Sequence, residues 1–104
     1  MAKMVVVYKT PKDPSAFERH YFRVHVPLAM QLPGLRSYET SKGPIISLAG
    51  AADAHLVGIL QFDSLAAIKD AFASECGRAC AADRRALVPD ERDVQIFLFD
   101  TRSA

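Results

Sequence analysis

Three stretches of this chain, MVVVY (residues 4–8), LVGIL (56–60) and IFLF (96–99), are apolar at successive positions. A strand turns alternate side chains to opposite faces, so strands like these are hydrophobic on both faces of the sheet they form. A layer of helices covers only one face. The second face must find its cover elsewhere, and a twofold homodimer with sheets packed face to face is the commonest solution. The last stretch sharpens the constraint, because a strand as greasy as Ile96 to Phe99 at a sheet edge invites aggregation unless a partner protects it.

The rest of the chain supplies the elements around those strands. KMVVVYK (3–9) is rich in β-branched residues and closes on TPKDPS, which predicts a strand and then a turn. After Ser15, Phe17, Tyr21, Val24 and Leu28 recur at intervals of four, three and four, the spacing of one helix face. Pro27 has no amide hydrogen and clashes with the preceding turn. This helix is therefore expected to kink or restart near Val26, beside His25, and to stop at Pro33 and Gly34. LRSYETSKG (35–43) suits an edge strand, and PIISLAGAAD (44–53) a long connection with room for a hairpin arm. HLVGILQFD (55–63) is a strand. Leu65, Ile68 and Phe72 then open a second amphipathic helix, capped by Asp63 or Ser64, with a break near Gly77 and a continuation through Ala86 to Pro89. DVQIFLFD (93–100) is the last strand. The order strand, helix, strand, strand, helix, strand predicts an α+β, ferredoxin-like βαββαβ fold. Its four-stranded antiparallel sheet carries both helices on one face, in a single domain over residues 1–104.

Charge narrows the partners. Thirteen Lys plus Arg against twelve Asp plus Glu give a net charge of +1, with neither sign gathered into a block. Nucleic acid and anionic membrane are poor partners for such a surface. MVVVY gives way at once to Lys9 and Lys12, too soon for a signal peptide or a membrane span, so a cytoplasmic location is the default expectation. Cys76 and Cys80, four apart, fit no familiar zinc or redox spacing and are expected to be reduced.

FERHYFRVHVPLAMQLPGL, residues 17 to 35, resembles the first helix and turn of the EthD family, within the dimeric α+β barrel superfamily. The resemblance rests on Phe17 and Tyr21, on HVPLA (25–29) and on Leu32-Pro33-Gly34. The preceding YKTPKDPSAF is also similar, and CGRACAADRRALVP (76–89) resembles the weaker second-helix pattern. It implies a ferredoxin-like homodimer, of a family first associated with ethyl tert-butyl ether degradation. Relatives in the superfamily include methylmuconolactone isomerases and small cofactor-free monooxygenases that bind hydrophobic metabolites in a cavity of each subunit. It also implies a pocket role for His25.

On a continuous helix Tyr21 and His25 share a face, which sets a polar pair in an apolar region. Either His25 faces a ligand as an acid or base while Tyr21 orients that ligand, or it bonds a backbone group freed by Pro27. His20 projects to the helix's other side and is expected in solvent. Tyr38 either places its hydroxyl at a cavity mouth or is packing surface with a wet tip. Asp63 is explained by the helix cap. Cys76 and Cys80 share a face with Phe72 as small hydrophobes, with Arg78, Arg84 and Arg85 near enough to leave a reactive thiol open. The runs DRR (83–85) and DER (90–92) read as solvated surface. His55 begins a strand and carries no further clue.

Two functions fit. One is cofactor-free acid-base chemistry on a small hydrophobic molecule, of isomerase, lyase or monooxygenase type, with catalytic His25 and substrate-binding Tyr21 and Tyr38. The other is a non-catalytic binding or carrier protein for the same kind of metabolite. An RNA module is disfavoured because HLVGILQF lacks a basic residue and paired aromatics, and a lone helix histidine gives weak support to haem. No metal or cofactor is expected.

Overall fold

The first strand, β1 (Ala2–Tyr8), is the spine of a four-stranded antiparallel sheet in the computed structural model, which describes residues 1–104. Its neighbours are β3 (Leu56–Phe62) and β4 (Val94–Asp100), and β2 (Ser37–Thr40) flanks β3, giving the order β2-β3-β1-β4. The last strand does lie at an edge. Register sorts the side chains, because residues directly opposite in antiparallel strands share a face. Val6 opposes both Gly58 and Ile96, and Tyr8 opposes Leu56 and Val94. These residues face the helices. Val5 opposes Ile59 and Phe97, Val7 opposes Val57, and Lys3 opposes Phe99. That second face is apolar and no element of the chain covers it. The helices also fall short of β4, whose Ile96, Phe97, Leu98 and Phe99 all stay more than 40% exposed.

Each expected helix is two segments. The first arm begins as α1 (Pro14–His20), two residues earlier than the TPKDPS turn suggests. Proline at the first helical position needs no amide hydrogen, and the Asp13 side chain caps the turn by accepting from the Ala16 N–H. A π-helical turn over Tyr21–His25 follows, and the arm resumes as α2 (Val26–Ala29). Pro27 explains the π turn. It cannot donate to the turn before it, and its ring needs the space that a widened turn provides.

The second arm is α3 (Leu65–Ala73) and α4 (Glu75–Leu87). Ser64 caps α3 by accepting from the Ala67 N–H, and Asp63 instead pairs with Arg36 at 2.8 Å. The cap expected of Asp63 is thus made by its neighbour. The break falls at Ser74, three residues before Gly77. Ser74 caps α4 by accepting from the Gly77 N–H and donates to the Ala71 carbonyl, so one hydroxyl closes both sides of the corner. Gly77 is needed for closeness: a Cβ there would sit 2.1 Å from the Ala71 carbonyl oxygen and 2.4 Å from Phe72 Cα. The edge strand β2 is shorter than the expected 35–43. The connection from 41 to 54 forms no hairpin arm, and it leaves Ile46 and Leu48 in solvent.

Two buried clusters lie between sheet and helices. Ala2, Ala29, Leu32, Leu60, Phe62, Ile68, Ala71 and Cys80 form one, and Val6, Tyr8, Phe17, Tyr21, Leu56 and Val88 the other. No helix is long and apolar enough to cross a membrane.

The corner at Ser74 sets a test of the fold. Gly77→Ala forces a methyl group against backbone that cannot yield cheaply, and is expected to cost about 3 kcal/mol or more, lowering the melting temperature by roughly 10–20 °C. A variant that melts within 2–3 °C of the parent, by the same scale, would show that the corner is looser than these distances.

Candidate functional site

The two clusters do not close on each other. Between them lies a cavity of about 220 Å³ lined almost wholly by apolar side chains, among them Met4, Val6 and Leu60 of the sheet and Ala29, Leu32 and Phe72 of the helical arms. The polar groups on its wall are His25, Tyr8, Tyr38 and Arg84. His25 and Tyr38 thus line it, while Tyr21 packs behind them.

Rings from the first arm form a row. Phe17 stacks on Tyr21 with centroids 5.9 Å apart, and Tyr21 on His25 at 5.5 Å, as the four-residue spacing implies. Tyr8 meets the edges of Phe17 and Tyr21 at 5.3 and 5.5 Å. The Tyr21 and Tyr38 hydroxyls hydrogen-bond to each other over Gly58. A Cβ at position 58 would lie 3.0 Å from the Tyr21 oxygen and 3.6 Å from Tyr38 Cε1, so the glycine in mid-strand makes room for the pair.

His25 is 7% exposed, and its Nδ1 donates to Asp83 Oδ2 at 2.9 Å. His20 Nε2 donates to the other oxygen, Oδ1, at 2.8 Å. Neither contact was legible in sequence. On a regular α-helix residues five apart point about 140° away from each other, which is why His20 reads as lying on the far side. The π turn changes that phase: the Val26 N–H bonds the Tyr21 carbonyl five residues back, and both imidazoles come to bear on one carboxylate. His20, 39% exposed, is therefore half in solvent and half engaged. Asp83, expected on solvated surface, has a side chain only 15% exposed. Its spacing from Cys76 and Cys80 was the available signal, since a carboxylate on an apolar helix stripe requires a partner.

Burial drives the Asp83 carboxyl upward, but the hydrogen bonds from His20 and His25 and their nearby charge outweigh it and hold the group below its ordinary value. Burial pushes the Tyr21 phenol well above the ordinary range and Tyr38 raises it further; burial also raises the Tyr38 phenol, against a lowering by its bond to Tyr21, and both remain protonated. Cys80, on the cavity wall, is pushed up to about 12 by burial and then by Cys76, which keeps it a thiol. Cys76 donates to the Leu28 carbonyl at 3.4 Å, and both cysteines are free. His55 lies away from the cavity, with Nε2 3.6 Å from Glu18. No group of three or more His, Cys, Asp or Glu side chains converges as a metal site.

The model of the EthD domain matches residues 9–91. An uncharacterized 11.0 kDa protein from the thcB-thcC intergenic region of Rhodococcus erythropolis is 39% identical over 84 residues, 80% of each chain. Among solved structures, an EthD family protein from Bacillus halodurans superposes with a TM-score of 0.87 at 24% identity, over 98% of this chain and 99% of that one. SnoaB, a cofactor-independent oxygenase from Streptomyces nogalater, gives 0.69 at 19% identity, over 99% and 94%. A dimeric ferredoxin-like protein of unknown function from Thermobifida fusca gives 0.68 at 14%, over 96% and 90%. At these identities the structural likenesses establish the ferredoxin-like fold.

The Asp83 clamp has a pH signature. A carboxyl depressed in the folded state adds stability at every pH above its unfolded value of about 4, and that contribution disappears as pH falls through the folded value. Asp83→Asn is expected to lower the melting temperature by roughly 5–10 °C near neutrality, the loss of about 1–2 kcal/mol of charge-assisted bonding. The gap between parent and variant should persist down to about pH 4 and close below it. A gap unchanged in strong acid would mean that the carboxylate charge is not its cause.

Proposed function

Because this chain belongs to the EthD domain family, we propose that it acts on a small hydrophobic metabolite, with His25 as general acid-base in the cavity and no cofactor in the chemistry. One observation carries the reading: the ring of His25 is anchored through Nδ1 on Asp83 while it forms part of an apolar wall. In its neutral form an imidazole that donates from Nδ1 presents an unprotonated Nε2, the form a general base requires. The carboxylate fixes that tautomer and stabilises the imidazolium formed when Nε2 takes a proton. The tyrosines cannot compete as bases, since burial keeps them protonated. Tyr38, on the cavity wall, contacts the substrate, and Tyr21 supports it through their shared hydrogen bond. The cavity suits ring compounds, because about 150 Å³ already accommodates benzene. An isomerase, lyase or monooxygenase step fits this equipment, and the fold shared with a cofactor-independent oxygenase supports the cofactor-free reading.

The working unit in this proposal is a homodimer. Val5, Val7, Val57, Ile59, Phe97 and Phe99 form the uncovered apolar face, and the similar Thermobifida fusca protein is dimeric. Light scattering on a sizing column should return about twice the 11.4 kDa chain mass. A stable monomer at micromolar concentration would remove the dimer from the proposal.

His25→Gln tests the chemistry against a panel of hydrophobic lactones, phenols and quinones. The glutamine amide can still donate to Asp83, so the fold should survive with a melting temperature within a few degrees. Turnover should fall by about 10² to 10⁴. Unchanged turnover would discard His25 as the acid-base group, and ligand binding without turnover by the parent protein would make the chain a carrier.

A further inference from the structure

Tyr8 is 1% exposed, yet its hydroxyl has no hydrogen-bond partner in the protein. The phenols of Tyr21 and Tyr38 use each other, whereas the only side-chain polar atom both sealed from all open space and unpartnered is His55 Nε2. The Tyr8 hydroxyl is therefore not sealed, and the open space that its residue lines is the cavity. A buried hydroxyl without a partner is destabilising by itself, so its persistence on an otherwise apolar wall points to something outside the chain that accepts from it.

Two more donors reach the same space. Tyr21, packed behind the wall, shares one hydrogen bond with Tyr38; with Tyr21 as its donor, the Tyr38 proton is free for the cavity. Arg84 lines the cavity from α4, with Nη1 on the Val88 carbonyl at 3.2 Å and its remaining N–H groups unused in the structure. Burial, and then Tyr38, push the Tyr8 phenol well above its ordinary range. The Arg84 guanidinium, which lines the same cavity, acts in the opposite direction, and the Asp83 carboxylate adds a smaller upward push. All three groups donate; none accepts as an anion. Opposite in chemistry stands Nε2 of His25, the acceptor.

We infer that Tyr8, Tyr38 and Arg84 form a binding site for one oxygen that gains negative charge, and that the ligand is therefore a phenol or an enolisable ketone on an apolar ring. The inference rests on the reading of His25 as the cavity base. The ligand O–H, or the C–H beside its carbonyl, gives its proton to Nε2. The electron pair left behind settles on the ligand oxygen as phenolate or enolate, held by the two tyrosine O–H groups and the guanidinium, and the imidazolium is held by Asp83.

The probes are 2-naphthol and naphthalene, equal in ring area and different by one oxygen. The protein should bind 2-naphthol more tightly, and the absorption of the bound probe should be that of naphtholate at a pH where the free probe is neutral. Tyr8→Phe keeps the ring contacts with Phe17 and Tyr21 and removes only the hydroxyl. It should weaken 2-naphthol by about tenfold to a hundredfold and leave naphthalene within about twofold. Arg84→Met gives a second arm with the same expected split. Equal loss of both probes, or of neither, in both variants overturns the oxygen site. Its failure differs from failure of the base reading: a naphtholate band that disappears only in His25→Gln keeps the base and discards Tyr8. A split between probes without any naphtholate band keeps the donors and discards the base. If neither ring compound binds the parent protein, both fall together.

Discussion

A single carboxylate ties the two helical arms together. Asp83 reaches from α4 to accept from His20 at 2.8 Å and from His25 at 2.9 Å, one imidazole on each oxygen. Bonds of this kind are directional as well as strong, and two of them on a carboxylate leave little freedom in either partner. The first arm must therefore present residues five apart on the same side, which only a widened turn allows. Pro27, by disfavouring a regular turn just there, makes the widened one the cheaper arrangement. The proline that looked like an interruption is thus the reason His25 faces inward with its tautomer set.

The architecture was legible because its signals are local and redundant. Runs such as VVVY and LVGIL leave few alternatives to strands, and the phase of Phe17, Tyr21 and His25 survives the π turn because each pair remains four apart. Element ends are less legible where one residue type has two uses. Pro14 serves a turn or a helix start equally, and either Asp63 or Ser64 could cap α3. The choice is made by Arg36, whose salt bridge occupies Asp63 from the loop just before β2.

The site was half legible for a different reason. His25 announces itself, lying beside a proline in an apolar segment. Asp83 does not, because DRR has the composition of exposed helix, and only its spacing from Cys76 and Cys80 places it on the inner stripe. Uniform helical phase puts His20 on the far side, and the π turn brings it round to Asp83. Tyr8 is the extreme case: a tyrosine closing a β-branched strand looks like packing surface, and the fate of its hydroxyl is decided by neighbours drawn from β2 and α4.

The position of the cavity, at the seam between two core clusters, also makes ligand occupancy a matter of folding equilibrium. A molecule that fits there touches Val6 and Tyr8 of one cluster and Leu60 and Cys80 of the other, so it can bind only while the two are assembled. By mass action such a molecule stabilises the native chain in proportion to the logarithm of its concentration above the dissociation constant. A seam occupied in this way keeps the chain out of the unfolded pool, and turnover then falls mainly on the unoccupied form.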